Sequence, residues 1–452
     1  MTSLPLKPAT NPGEAYKIFL PDAALQGKEA INSYYVDLSP DRQKQAVKEI
    51  SSKLELQDEG SFSTIAFTGH IGCGKSTELF RIKEDWKEKG FRVVFVQSIL
   101  EVDVLDIDHT SLYLLIFQKV ANELETLKIS INDNEVKEIK DWFFREEILE
   151  KDEIIESSLG LEGEASIGIN LPFARLLSRI TSKIKGSATE RRRVRETLQR
   201  NTSQLREALN SFLNRAYKSI RDDYPKGFLL ILDDLDKVPP KLAEGLFFDY
   251  GAQLEGLNCT LIYTIPISLT YSLKKVAGSI FGDPTILPMV NIYEFDKDLD
   301  DLKFNQPRLN AIADVIRKRV NLQELFANED SVLRIAEASG GCVRQLIRIM
   351  RKSALIAFTN EHQKIKEEDI EYSVKQEQFD FERRLSTNDY AVLAQVCKNK
   401  EIEKDERAQT LLYNTSVLEY NGENRWNYPN SVVRRSSSFQ KELNHLNTLN
   451  II

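Results

Sequence analysis

The chain has 452 residues, of which 41% are hydrophobic and 29% charged, and carries a formal net charge of −8. That length admits roughly two to four domains with sizeable cores, and the acidic balance argues against a protein that coats nucleic acid, though it leaves room for a local basic patch. No apolar run approaches the ~18 residues of a membrane span. The N-terminus lacks the basic start and apolar centre of a secretion signal, and four scattered cysteines without a CxxC pair argue against a disulfide framework or zinc site and for a reducing, cytoplasmic setting.

In chain order, residues 1–34 are rich in Pro, Gly and Ala and read as a loosely held N-terminal arm. "YYVDLSPDRQKQAVKEISSKLE" then reads as a short extended piece, a cap at Ser39 and a helix. A strand over 64–68, a glycine loop over 69–74, a helix over 75–89 ended by Gly90 and a strand over 91–97 make a parallel βαβ unit. Further strands are predicted at "GFLLILDD" (227–234), "CTLIYTIP" (259–266) and, more weakly, "MVNIYEF" (289–295). Their nearly continuous apolarity suits strands buried on both faces.

About 130 residues separate the second strand from "LLILDD", far more than one crossover helix requires. They contain one long amphipathic helix over about 188–222, with Val194, Leu198, Leu205, Leu209, Phe212, Leu213, Ala216 and Ile220 on one face. Ahead of it, "LGLEGEASIGINLPF" reads equally as a hairpin or as poorly ordered chain. From Leu309 the pattern turns helical, and "VLEYNGENRWNYP" alternates around a Gly-containing turn at Asn421–Asn424, a hairpin signature. The expected fold is therefore α/β: a parallel-sheet core over 35–300 with a helical insertion at about 125–222, a helical lid over 301–384, and a winged-helix domain over 385–452.

"GHIGCGKS" matches GxxxxGK[ST], and the strand before and helix after supply the setting that motif needs. The backbone of Gly69, His70, Ile71, Gly72, Cys73 and Gly74 would converge on phosphates. Lys75 would reach the β/γ oxygens, Ser76 would ligate Mg²⁺, and Thr77 follows in the helix's first turn. In "LLILDD" four apolar residues deliver Asp233 to the sheet edge, where it would hold the Mg²⁺ shell, and Asp234 is placed to orient or deprotonate the attacking water. Asp236 reads equally as a capping or surface acid and as a catalytic one. Thr264, ending the next strand, would sense the γ-phosphate, against the alternative of plain strand propensity. Arg344, two residues after a Gly-Gly-Cys helix entry, would reach a phosphate from the helix's first turn, against the alternative of a surface arginine.

This set resembles the AAA+ ATPases, especially the initiator-type branch of origin-recognition and clamp-loading proteins, and the related STAND ATPases. "GHIGCGKST" corresponds to Walker A, "LLILDD" to Walker B, "YTIP" to sensor 1 and "GGCVRQL" to sensor 2, and a helical lid and winged helix follow in the order both groups use. The resemblance covers about residues 35 to 430 and implies ATP and Mg²⁺ as ligands. There are three departures. Asp234 stands where AAA+ enzymes usually carry Glu, which implies a slow switch more than a fast motor. The segment 274–295, where an arginine finger is expected, contains no Arg, leaving Arg308 or the basic helix as candidates. The long insertion before Walker B has no counterpart in minimal members, and neither His362 nor His445 matches the histidine that STAND winged helices place near the nucleotide.

Residues 172–206 hold ten Arg or Lys, "RRRVR" at 191–195 among them, against Glu190 and Glu196. A solvated helix face, self-assembly against an acidic neighbouring protomer, and contact with nucleic acid or a membrane all fit that pattern; "LPFARLLSRITSKIKG" is basic and amphipathic, and packing on the core is its simpler reading. The expected recognition helix, 403–414, is net acidic, so the winged helix is expected to grip the ATPase core or lid and not DNA. The leading functional reading is an ATP-binding, slowly hydrolysing conformational switch. It would assemble as a homo-oligomer or engage a separate effector, a role in prokaryotic signalling or anti-phage defence being implied only by resemblance. The alternative is an ATP-dependent DNA-binding initiator or loader. A simple metabolic kinase fits the lid and winged helix poorly.

Overall fold

The computed structural model describes residues 5–129, 143, 173–274 and 281–449. The segment 159–171, expected as a hairpin or loose chain, lies outside the described residues.

Five parallel strands form the central sheet in the order β2 (Phe91–Gln97), β3 (Gly227–Asp233), β4 (Thr260–Pro266), β1 (Thr64–Gly69), β5 (Thr285–Ile286). The strand runs are continuously apolar because each face of the sheet meets a different core. Ile65, Phe67, Leu229, Ile231 and Ile262 point into one that includes the N-terminal helices and the helices after Asn305. Ala66, Leu230, Leu232, Leu261, Tyr263 and Ile265 point into the other, beneath the helix His109–Thr126. Alternation of period two thus persists within runs that read as uniformly hydrophobic. With the glycine loop at the end of β1 and Asp233 at the end of β3, this is an α/β P-loop NTPase core, and a helical lid follows it.

The lid comprises the helices Gln306–Arg317, Leu322–Leu325, Ser331–Ser339, Val343–Thr359 and Glu367–Glu382. The C-terminal unit comprises the helices Thr387–Asn399 and Glu406–Tyr413, an antiparallel hairpin β6 (Val417–Tyr420) and β7 (Trp426–Pro429), and the helices Ser431–Arg434 and Ser437–Leu449. These are the helices and hairpin expected of a winged helix.

Four expectations need correction. The fifth strand is 285–286, not 289–295. The backbone beyond it spends its hydrogen bonds elsewhere, Met289 N–H donating to the Glu419 carbonyl of β6 and Asn291 N–H to the Asp41 carbonyl. The long amphipathic helix is two, Ala188–Arg200 and Thr202–Ile220, parted at Asn201, whose ψ of 26° leaves the helical region. Ser39 is not a cap but the first residue of the short helix Ser39–Arg42, which ends at Gln43 in the left-handed region. Nor are the first residues loose: the helix Pro12–Ile18 buries Ala15 and Ile18 with Phe19 in the lid-side core, and Arg351 of the lid donates to the Tyr16 and Phe19 carbonyls.

Among the described residues no helix is long and apolar enough to cross a membrane, and all four cysteines are buried and free.

Candidate nucleotide-binding site

The loop between β1 and the helix Lys75–Trp86 lies at the C-terminal edge of the sheet, where parallel strands open a crevice. Gly72 sits in the left-handed region (φ 88°), and a Cβ there would come within 2.6 Å of the Arg344 Cβ. The close approach is real contact: the Arg344 backbone N–H donates to the Gly72 carbonyl at 3.0 Å. From behind, the buried Arg42 guanidinium donates to the Cys73 carbonyl and the Pro288 carbonyl, each at 2.6 Å. A single arginine in a short helix carries no motif, and sequence reasoning missed it.

Lys75 is buried, and its ammonium has an acceptor for each of its three protons: the Gly69 carbonyl at 2.8 Å, the His70 carbonyl at 2.9 Å and Asp236 Oδ2 at 2.8 Å. Burial pulls its pKa down, but the Asp236 carboxylate outweighs this and the net shift is upward, so the side chain stays charged. Asp236 is therefore part of the site, occupying a position on Lys75 that a phosphate oxygen would take.

Asp233 is 1% exposed, and neither carboxylate oxygen has a hydrogen-bond partner. Burial first, then the charges of Asp236 and Asp234, push its pKa up to about 6; the nearby Ser76 hydroxyl favours the ionised form slightly. An orphaned buried carboxylate beside a hydroxyl is what a hard cation requires of a protein that leaves its remaining positions to phosphate and water. Among the described residues no cluster of three His, Cys, Asp or Glu could hold a metal unaided. The donors present thus fit Mg²⁺ brought with a nucleotide.

Asp234 takes a left-handed conformation (φ 70°) that aspartate tolerates, and Lys237 Nζ lies 2.6 Å from its Oδ1. The Thr264 hydroxyl fastens this turn: it accepts from the Leu235 N–H at 3.0 Å and donates to the Leu232 carbonyl at 3.3 Å. Thr264, expected to sense the γ-phosphate, is fully buried and does not line the cavity. It supports the acidic turn from beneath.

A cavity of about 1810 Å³ opens over these groups, lined by Gly72, Gly74, Lys75, Ser76, Thr77, Asp234, Asp236, Lys237 and Arg344. Its far wall is residues 20–30 with Leu6, Ile99 and Ile347, so the segment expected to be an arm builds half of the pocket. The structure thus brings Arg344 to the same cavity as the glycine loop. Its Nε donates to the Pro21 carbonyl at 3.2 Å, with Asp22 at 3.7 Å, which turns the guanidinium toward the N-terminal wall. Thr77 Oγ1 accepts from the Leu25 N–H at 3.3 Å, tying that wall to the loop's helix. Arg308 does not line the cavity, nor do His362, which faces Asp369 in the lid at 2.9 Å, and His445.

His70 points the other way. Fully buried, its Nε2 accepts from the Glu419 N–H at 2.8 Å and its Nδ1 lies 3.2 Å from the Leu412 carbonyl. Since the first partner can only donate and the second only accept, the ring is neutral with its proton on Nδ1. Burial agrees, pushing its pKa down to about 3. One side chain of the glycine loop thus holds both the helix Glu406–Tyr413 and the hairpin. Around it Tyr413 OH donates to the Lys237 carbonyl at 2.5 Å, Asn427 Nδ2 to Tyr271 OH at 2.8 Å, and Gln409 Nε2 to Glu244 at 3.1 Å. The would-be recognition helix buries Ala408, Gln409, Leu411 and Leu412 in this contact.

The basic helix Ala188–Arg200 buries Val194 and Leu198 and pairs two of its arginines with acids of the same chain. Arg191 lies 3.3 Å from Asp106, and Arg195 lies 2.6 Å from Asp106 and 3.8 Å from Asp108. Arg192 pairs with Glu196 at 2.8 Å and stays exposed. Arg434 is packed against Tyr293 and Tyr428 and pairs with Asp301 at 2.8 Å.

No family model and no curated protein matches the sequence. Solved structures do match along its length. Cdc6p from Pyrobaculum aerophilum is 13% identical with a TM-score of 0.41, covering 95% of this chain and 97% of that one. The Aeropyrum pernix ORC1 protein, solved in complex with DNA, is 12% identical with a TM-score of 0.38, covering 97% and 98%. Drosophila ORC bound to DNA is 11% identical with a TM-score of 0.36, covering 98% of this chain and 94% of that one.

Proposed function

We propose that this chain is an ATP- and Mg²⁺-binding ATPase of initiator-type AAA+ plan in which the nucleotide decides whether the C-terminal unit stays docked on the core. The observation that carries the reading is His70: a residue inside the phosphate loop spends both ring nitrogens on the C-terminal unit. A loop that rearranges around phosphates must move that side chain or strain its bonds, so nucleotide affinity and docking are linked in both directions.

In this reading Gly69 to Thr77 cradle the phosphates, Ser76 and Asp233 hold the ion, Asp234 orients the water, and Arg344 reads the nucleotide from the lid. Mg²⁺, when bound, would neutralise charge on the β- and γ-phosphates. Lys75 must exchange Asp236 for phosphate oxygens, a one-for-one replacement of acceptors. Asp234, already paired with Lys237, favours slow turnover. The domain limits of 35–300, 301–384 and 385–452 go with this division of labour.

For the output, duplex DNA is the first to test, because a two-helix and hairpin unit reads duplex when its second helix enters the major groove. That helix is packed on the core here, so DNA binding would require undocking and would be ATP-dependent. A protein partner or a second copy is the other reading, favoured by the pairing of Arg191, Arg195 and Arg434 within the chain. A signalling or defence role rests only on the family resemblance, and none of the solved structures named above adds to it.

The test is one series of measurements. ATP·Mg²⁺ binding, hydrolysis and amide exchange over 417–429 are followed for the wild type, Lys75→Ala and Asp234→Asn, with and without duplex DNA at low salt. Lys75→Ala should lose binding, while Asp234→Asn should keep it, lose turnover and hold the hairpin exposed. Equal hydrolysis by Asp234→Asn and wild type would sink the catalytic assignment, and nucleotide-independent exchange of the hairpin would sink the switch.

A further inference from the structure

We propose that Lys237 is a positioning residue that restrains hydrolysis: its ammonium holds the Asp234 carboxylate away from the water it must direct, and the docked C-terminal unit keeps it there. The inference deepens the ATPase reading above and rests on it. In hydrolysis the water oxygen bonds to the γ-phosphorus as the bond to the β–γ bridging oxygen breaks. The leaving ADP takes that electron pair, and the water's proton passes by way of a nearby acceptor to the product phosphate. Asp234 is the acidic side chain of the cavity wall free of the other tasks, since Asp236 holds Lys75 and the orphaned Asp233 suits the ion.

Three observations converge on Lys237. Its Nζ lies 2.6 Å from Asp234 Oδ1, and that carboxylate is only 7% exposed, so the pair is poorly screened on the acid's side. It lines the same cavity as Lys75, Ser76 and Arg344, so the ammonium stands where the reacting end of a nucleotide would lie. And its backbone is gripped from the opposite side: Tyr413, the last residue of the helix Glu406–Tyr413, donates its hydroxyl to the Lys237 carbonyl at 2.5 Å. The carboxylate is therefore fixed between a turn that Thr264 fastens and a lysine that the C-terminal unit fastens. Release of that unit removes one of the two fixings and lets Lys237 swing off Asp234.

The test is single-turnover hydrolysis and ATP affinity, measured on the full chain. Lys237→Met removes the charge at similar length and should raise the hydrolysis rate about fivefold, the scale of a partly exposed ion pair, with ATP affinity changed less than about twofold on the same scale. Lys237→Arg, which returns a cation of similar reach, should bring the rate back toward that of the wild type. Tyr413→Phe, which deletes only the anchoring hydroxyl, should raise the rate in the same direction. In an Asp234→Asn background Lys237→Met should change nothing, because the lysine acts through that carboxylate. A fall in rate, an unchanged rate, or a large loss of ATP affinity in Lys237→Met would overturn the inference. So would a rate increase that persists in the Asp234→Asn background. If the wild type and Asp234→Asn hydrolyse ATP equally, the underlying ATPase assignment has failed instead, and the two failures are told apart by that control.

Discussion

The sharpest consequence of the site concerns His70, and its magnitude follows from what the ring touches. Replacing it by Ala strands the buried Glu419 N–H, whose acceptor is Nε2. The Leu412 carbonyl suffers less, since it also accepts from the Thr415 N–H at 3.2 Å. One stranded buried donor costs about 1–3 kcal/mol, and the vacated, fully buried ring volume adds about 1 kcal/mol or more. The docked C-terminal unit should therefore lose about 3 kcal/mol, which raises the undocked population by about two orders of magnitude. Amide exchange over 417–420 and 426–429 should accelerate by that factor while the amides of β1 and β3 stay protected.

Acid offers an independent route to the same loss. His70 titrates near 3 when folded because burial excludes the charged form, against 6.5 for the free side chain. Between those values the unfolded or undocked chain binds a proton that the docked one does not. The contribution of His70 is thus complete above pH 6.5 and declines as pH falls, by about 1.4 kcal/mol per unit. The gap in hairpin exchange between wild type and His70→Ala should shrink about tenfold between pH 6.5 and 5.5. A gap that is absent at neutral pH, or that keeps its size at pH 5.5, would refute the claim that this histidine holds the unit down.

Other predictions are more local. Mg²⁺ binding with nucleotide requires the ionised Asp233, whose pKa burial has raised to about 6. Mg²⁺-dependent ATP affinity should be full above that value and fall about tenfold per pH unit below it; titration calorimetry should find that Asp233→Asn abolishes both the metal effect and its pH dependence. Arg42→Ala removes the two hydrogen bonds that brace the glycine loop from behind, so ATP binding should weaken by about tenfold. Arg42→Lys, which lacks the planar fork, should restore only part of it, as fluorescent-nucleotide titration would show. Gly341→Ala places a methyl 2.0 Å from the Val290 carbonyl at a φ of +84°. Destabilisation of about 2 kcal/mol or more should appear as a lower unfolding midpoint, and an unchanged midpoint would mean that lid and core are not packed this closely.

Much of this was legible in the sequence, for reasons that differ from element to element. Strands 64–69, 91–97, 227–233 and 260–266 announce themselves because burial on both faces demands continuous apolarity. The glycine loop and the Asp233–Asp234 pair are legible because phosphate and metal chemistry leaves little choice of residue. What stayed hidden depends on contacts far apart in the chain. Nothing around Arg42, His70 or Tyr413 marks it as touching residues 31, 349 and 176 positions away. The weak fifth strand was misplaced for the same reason. Residues 289–291 have the composition of a strand, but their partners are the hairpin and a distant helix, not the sheet edge.

The N-terminal segment carries that argument furthest. Its Pro, Gly and Ala content suggests loose chain because, taken alone, those residues gain little by ordering. Set against the lid, the same small residues let the backbone lie close: Ala9 bridges to Val320, Ala15 is fully buried, and Leu25 N–H meets Thr77 on the helix that follows the glycine loop. Residues 20–30 then form a wall whose position depends on Arg344 and Arg351 of the lid, both of which donate to its backbone or to the residue just before it. A pocket with one wall on the core and another fastened to the lid closes or opens as the lid moves. The composition that made the segment look dispensable is what lets it report the lid's position to the nucleotide.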